Sequence, residues 1–375
     1  MKISGISWQS FSIPFNSPYV TAKEFSTRKF GLLLFLQSDS GITGVGEISP
    51  VGAGSLKELK VIERDLKGIT RRIIEKENSD KDVITSMIAE GSSTSSRPLI
   101  EFGFETAILD IKGKLAAKPV WELLGATFPS VPVNALITAE TCKDAIKQSC
   151  LALQSGFSSL KLKVGFGEGN RDIEMVAKVR EEIGPEPKLR VDVNGNWTVP
   201  QAIEKIRTLE PVGLEYVEQP VSPDDFMGLE MVSRSVAVPL GVDEPITNVE
   251  VIDWLLKTHP VGIFILKLGR FGNIDKLIEG IKLISVSKKN PVVTSSLESG
   301  VGLVASCHIA SIIQENVFAH GLATNLLLES DLLSESLAIH KGNLNLPKTP
   351  GLGIEIDFDA LSWYTAGISG SIGWK

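Results

Sequence analysis

Two lysines and three carboxylates recur through the second half of the chain at intervals that no single helix or strand could generate: Lys163, Asp192, Glu218, Asp243 and Lys267. Neighbours in this series stand 24 to 29 residues apart, about one βα unit each. Each ends or directly follows a short apolar run, at 159–163, 189–193, 214–218, 239–242 and 262–267. In a parallel barrel the carboxyl ends of the strands converge on one mouth, so residues distant in sequence become neighbours. Three carboxylates gathered there repel unless they are paired or bind a cation. With no His or Cys on these strands the donors are all oxygen, which points to Mg²⁺, or Mn²⁺, and away from zinc. A lysine held near another cation and a metal can have its pKa lowered towards neutrality and serve as a general base. The chemistry expected is removal of a proton α to the carboxylate of a small-molecule substrate, with the metal stabilising the enediolate charge.

The elements that would position these groups follow from periodicity. Eight strands are expected, the five above and three at 131–137, 291–295 and 317–322, alternating with amphipathic helices. Helix starts are signalled by Asn170, by Thr198 with Pro200, and by Asn248. The expected fold class is α/β: a TIM-like (β/α)7β-type barrel over 126–345, an α+β capping domain over 1–125, and a tail over 346–375 that returns to the cap. In the cap, strands are expected within 3–48, the last two at 30–37 and 42–48, followed by a helix carrying Leu59, Ile62, Leu66, Ile69 and Ile73 and another over 98–115. The stretches 16–27 and 50–55 read as exposed loops that would set specificity.

Bulk properties narrow the function classes. The chain has 375 residues, 43% hydrophobic and 22% charged, with a net charge of -7. That suits a globular protein with a large core and disfavours nucleic acid, whose binding needs clustered Lys and Arg. Cys142, Cys150 and Cys307 are an odd, widely spaced set without a C-x-x-C pair. No apolar leader or spanning segment is evident, so a cytoplasmic protein without membrane association is expected. Oligomeric state is not legible.

The strand-end residues fall in a pattern that resembles the enolase superfamily, and within it the muconate-lactonising subgroup. The matching motifs are Lys161-Leu162-Lys163, Asp192-Val193-Asn194, Glu218-Gln219-Pro220, Asp243-Glu244-Pro245 and Lys267, supported by the stretch 101–125 and by Pro350-Gly351-Leu352-Gly353. Enolase-superfamily sites are the established example of a Lys or His base acting with Mg²⁺. The resemblance implies that Lys163 is a base, Lys267 its opposite-face partner, and Asp192, Glu218 and Asp243 the metal ligands. It places Lys161 beside Lys163, lowering its pKa or contacting a substrate carboxylate, and makes Arg190, Asn194 and Ser296 candidates for substrate contacts. Ser295 to Ser299 with Gly302-Leu303, and His320-Gly321-Leu322, look most like o-succinylbenzoate synthases, which dehydrate a succinyl-hydroxycyclohexadiene carboxylate in menaquinone synthesis.

Other readings stay open. An N-acylamino acid racemase or dipeptide epimerase of the same superfamily would use both lysines, although Leu322-Ala323-Thr324-Asn325 lacks the Asp pair usual for dipeptides. A Schiff-base lysine enzyme or a non-catalytic binding barrel would not need three strand-end carboxylates. Glu244 is expected to point away from the mouth by strand alternation. Residues 165–169 are read as a turn, and the four histidines as packing or surface residues.

Overall fold

The computed structural model describes residues 2–21, 23–76, 81–166, 169–313 and 318–373. The first unit is an antiparallel hairpin sheet of β1 (Ile3–Val20), β2 (Phe25–Ser38) and β3 (Thr43–Ile48), followed by helices α1 (Leu56–Lys76), α2 (Lys81–Gly91), α3 (Arg97–Leu115) and α4 (Val120–Leu123). Leu59, Ile62, Leu66, Ile69 and Ile73 recur at helical spacing and are all buried along α1. Helix α3 lies so close to β3 that a Cβ on Gly46 would stand 1.9 Å from the Gly103 carbonyl oxygen. Glycine is required there by the approach of two backbones.

Two expectations for this unit are corrected. Most of 16–27, expected as a loop, is strand: β1 runs to Val20 and β2 starts at Phe25, so that Tyr19 pairs with Ser26 and Val20 with Phe25, and Ala22 of the expected loop lies outside the described residues. Tyr19 stacks on Phe15 and is buried, while Asn16 Nδ2 donates to the carbonyls of Leu326 and Leu328. Contacts with the barrel therefore stabilise an extended arm that its Ser, Pro and Thr content disguised. Helix α2 was not anticipated, since its moderate apolar content follows a highly charged stretch.

The second unit begins with β4 (Ser130–Pro132) and continues as β5 (Ala135–Ile137), α5 (Cys142–Gln154), β6 (Ser159–Lys163), α6 (Arg171–Ile183), β7 (Lys188–Asp192), α7 (Val199–Leu209), β8 (Val217–Glu218), α8 (Phe226–Ser235) and β9 (Leu240–Val242). It proceeds through α9 (Val249–Thr258), β10 (Ile263–Leu266), α10 (Leu268–Phe271), α11 (Ile274–Val286), β11 (Asn290–Val293) and α12 (Gly300–Ala310). Strands β5 to β11 form one parallel sheet in sequence order. The ring is closed where the eighth strand was expected: His320 bridges Val133 and Gly321 bridges Thr294, each in parallel sense. Val317, the start of that expected strand, and Gly167 and Glu168 of the expected turn lie outside the described residues. The run expected at 131–137 divides, as β4 leaves the ring to pair with β13 (Asn343–Asn345), itself paired with β12 (Ile339–His340). Thr198 caps α7 in a full capping box with Gln201, and Asn248 caps α9 through the Val251 amide.

The last elements, α13 (Phe358–Trp363) and β14 (Thr365–Ile372), return to the first sheet, where β14 pairs with β1. Two buried side chains fix this return. Asp110 accepts from the Leu352 amide at 2.8 Å, the Val45 amide at 3.0 Å and Lys114 Nζ at 2.7 Å. His308 accepts from the Trp121 amide on Nδ1, so its Nε2 carries the proton and donates to the Leu352 carbonyl. Burial holds this imidazole neutral, with its pKa down to about 4. Leaving a buried amide without an acceptor costs ~1–3 kcal/mol. Asp110→Ala, which strands the amides of Val45 and Leu352 together, is expected to lower unfolding free energy by ~3 kcal/mol in urea titrations. A change below ~1 kcal/mol would show that the tail is held by its other contacts.

Candidate active site

The five strand-end residues meet at the carboxyl end of the parallel ring. Lys161 and Lys163 are alternate residues of β6 and point to the same side, into the ring. Lys161 Nζ donates to Glu218 Oε1 at 2.6 Å and stands 2.9 Å from Asp192 Oδ2. Lys163 Nζ donates to Asp192 Oδ2 at 2.7 Å and to Asn194 Oδ1 at 2.8 Å. On the far side Lys267 Nζ donates to Asp243 Oδ2 at 2.6 Å. Three strands separate β6 from β10 along the sheet, and β5, the bridging segment and β11 separate them the other way. The two lysines thus sit across the ring from one another, and both line a single cavity of about 250 Å³.

Burial makes this cluster electrostatically tense. Glu218 is fully buried, and burial together with the neighbouring charge of Asp192 pushes its carboxyl up to about 8. Asp192 and Asp243 are also buried, but lysines beside both, with Arg270 the larger influence on Asp243, hold them below the usual carboxylate range. Lys163 is governed by its carboxylate neighbour. Burial and Lys161 lower its affinity for a proton, yet the adjacent Asp192 outweighs them and its pKa is raised. Lys161 is raised likewise by Asp192 and Glu218 against its burial.

The donor set suits a hard divalent cation. All three carboxylates are oxygen donors at the carboxyl ends of adjacent strands, Asp192 level with Glu218 and Asp243 two residues beyond the Gly241 that pairs with Glu218, and Glu218 Oε2 is buried without a hydrogen-bond partner. Among the described residues no three carboxylate, imidazole or thiol groups gather into a metal-sized cage, because each carboxylate leans on a lysine or arginine.

Of the remaining sequence candidates, Asn194 and Ser296 line the cavity and Arg190 does not. Asn194 Nδ2 donates to Glu244 Oε1, and Ser296 Oγ is buried without a partner. Arg190 is fully buried below the mouth, where it donates to Tyr216 Oη and the Ala319 carbonyl, pairs with Glu215 and covers the Tyr216 ring. It lies two residues before Asp192 on the same strand face, one layer too deep to reach a ligand in the cavity.

Glu244, expected to point away from the mouth, lines the cavity, as does Arg270, which sequence reasoning passed over. Glu244 faces it because β9 ends at Val242, so strand alternation no longer sets its direction. Arg270 donates to the Asp243 carbonyl and to Asp243 Oδ1, both at 2.7 Å. A cation three residues after Lys267, on a short helical turn, was its only signal. Opposite the charged cluster the wall is neutral, with Asn134 Oδ1, Thr294 Oγ1 and Thr324 Oγ1 all buried and unpartnered. The cap contributes Tyr19, Thr21, Lys23 and Glu24 from the hairpin and Val51 and Gly52 from the following loop.

Comparison with known proteins agrees with this arrangement. Residues 10–125 match the mandelate racemase / muconate lactonizing enzyme N-terminal domain, and residues 144–360 the enolase C-terminal domain-like family. The o-succinylbenzoate synthase of Thermobifida fusca is 31% identical over 252 residues, covering 66% of this chain and 77% of that protein. The L-Ala-D/L-Glu epimerase of Bacillus subtilis is 24% identical, covering 94% and 97% respectively. A dipeptide epimerase from Cytophaga hutchinsonii, solved with Mg and the dipeptide D-Ala-L-Val, superimposes with a TM-score of 0.89 at 23% identity, covering 99% of each chain. With both of its domains matched, the chain belongs to the enolase superfamily, in the muconate-lactonising subgroup.

Proposed function

We propose that the protein abstracts a proton α to a carboxylate in a Mg²⁺-dependent reaction. The observation that carries this reading is the pair of lysines, Lys163 and Lys267, which line one cavity from opposite sides and rest on the buried carboxylates Asp192 and Asp243, with Glu218 between them. Those three carboxylates would hold the cation, which when bound would supply positive charge to the substrate carboxylate. Lys163 Nζ, placed by Asn194 and Asp192, first gives its ammonium proton to solvent; as the neutral amine it then takes the substrate proton, and the electron pair of the broken C–H bond passes into the carboxylate to give an enediolate. Lys267 presents its ammonium from the opposite side. Lys161 adds a third positive charge at the cavity floor, and the cap residues shield the site from water.

The finer reading is o-succinylbenzoate synthesis: the enediolate collapses with breakage of the β carbon–oxygen bond, the departing hydroxyl takes the proton that Lys163 had removed and leaves as water, and the ring becomes aromatic. It is supported by the 31% identical relative and by the neutral wall of Asn134, Thr294, Ser296 and Thr324, which offers no carboxylate for the ammonium of a dipeptide. Racemisation of an N-acylamino acid is the second reading, favoured by the two facing lysines. A Schiff-base role for Lys267 is disfavoured by its 2.6 Å bond to Asp243.

Three outcomes are expected. Glu218 holds a proton in the folded protein up to about 8, whereas a free carboxyl releases it near 4.5, so without metal the folded state binds the extra proton and stability falls as pH rises between those values. Added Mg²⁺ should take that proton's place and flatten the fall, which thermal midpoints in EDTA and in Mg²⁺ across this window would reveal. Coincident profiles would argue against the carboxylate site. Lys163→Ala should lower kcat by at least ~10²-fold in steady-state assays while circular dichroism stays native, the scale of a lost general base. Near-normal turnover would move the base elsewhere. Finally, kcat/KM for the cyclohexadiene precursor should exceed that for every member of a panel of N-succinylamino acids and dipeptides. A larger value for any amino-acid derivative, accompanied by deuterium entering its α position from D₂O, would promote the racemase reading.

A further inference from the structure

The cap holds a lysine that the reaction does not use. Lys29 projects from β2 and is fully buried, yet among the described residues it makes no ion pair. Its Nζ donates to the carbonyls of Pro50 and Gly52, both at 2.6 Å, and reaches the Ser296 carbonyl at 3.5 Å. Burying an ammonium is costly unless its hydrogen bonds are met. Burial does depress its pKa, against the opposing pull of Glu298 and Glu47.

The partners explain why a donor is needed at this point. The segment after β3 turns through Gly52 and Gly54 at positive φ of 74° and 70°, and carbonyls on it face inward. Glu24 grips the same turn from its other side, accepting from the Ala53 amide at 3.0 Å. Val51 and Gly52, between these two clamps, form part of the cavity wall, and Ser296, the third partner of Lys29, lies in the wall contributed by the barrel. Lys29 itself does not line the cavity. It touches the backs of both walls.

We propose that Lys29 is a positioning residue, which fixes the 50–54 turn against the exit of β11 and so sets the shape of the cavity from behind. With a cavity of only about 250 Å³, a shift of about 1 Å in Val51 or Gly52 would disturb how a ligand is held before it disturbs the lysines that react. This role holds whichever carboxylate is turned over, because it depends on the wall and not on the ligand.

The test is amide exchange by mass spectrometry on the full-length protein, combined with kinetics on whichever substrate the wild type turns over. Lys29→Met keeps length and bulk but removes every donor, and Lys29→Gln serves as the milder replacement should the first not fold. Peptides covering 50–55 should exchange at least tenfold faster in the variant, while those covering α9 and α11, on the outer face of the barrel, keep wild-type rates. KM should rise at least fivefold with kcat changed less than twofold. Unchanged exchange at 50–55, or acceleration of equal size in every peptide, would overturn the proposal. So would a fall in kcat with KM unaltered, since that would assign Lys29 to the chemistry or to general stability. Failure to find any substrate would weaken the functional reading but leave the exchange result decisive for Lys29.

Discussion

The structure is organised around a set of charges that could not be buried singly. Asp192, Glu218 and Asp243 are removed from water at the ends of adjacent strands, where isolated carboxylates would be unstable. Lysines from β6 and from the end of β10 neutralise them at distances of 2.6 to 2.9 Å, with Arg270 closing on Asp243 from α10. A cluster of this kind keeps its members in fixed relative positions because breaking any one pair leaves a buried charge uncompensated. The same tension leaves Glu218 protonated near neutrality and one of its oxygens without a partner. Chemistry that needs a cation and two ammonium groups around one carboxylate can be built on that arrangement with little reorganisation.

The barrel supplies the floor and the cap supplies the lid, so the register between them matters as much as either. Glu47 joins them most directly: its carboxylate accepts from the Ser299 amide and hydroxyl and from the Gly302 amide at the start of α12. Lys29 reaches the Ser296 carbonyl nearby, and the hairpin arm is held by Asn16 against the carbonyls of Leu326 and Leu328. Asp110 and His308 bring the C-terminal segment into the same framework. The contacts are polar and buried, which makes them costly to misalign, and they locate the cap more narrowly than apolar packing could.

Much of this was open to sequence reading because strand spacing is regular. Lys163, Asp192, Glu218, Asp243 and Lys267 announce themselves by falling at the same point of successive βα units, and the parallel ring then obliges them to meet. Helix α1 was equally readable from its apolar period. Elements held by distant partners were not. The hairpin arm carries the composition of a loop and is extended only because Phe15 and Asn16 find the barrel. Strand β4 leaves the ring for β13, more than 200 residues away in the chain, and no local signal marks that choice.

The division within the site has the same cause. Residue types and periodicity alone determined which charged groups share a mouth, since a strand's length and alternation fix where its last side chains point. The tertiary structure decided what each of those groups then feels. Lys163 stands beside the cation Lys161, and Asp192 on the neighbouring strand outweighs it and raises the lysine's pKa. Arg190 shares a strand face with Asp192 yet lies a layer below the cavity, and Glu244 enters the cavity because its strand stops at Val242. Proton affinity and reach depend on distances of a few ångströms between residues far apart in sequence, and a linear pattern of residue types carries no record of those distances.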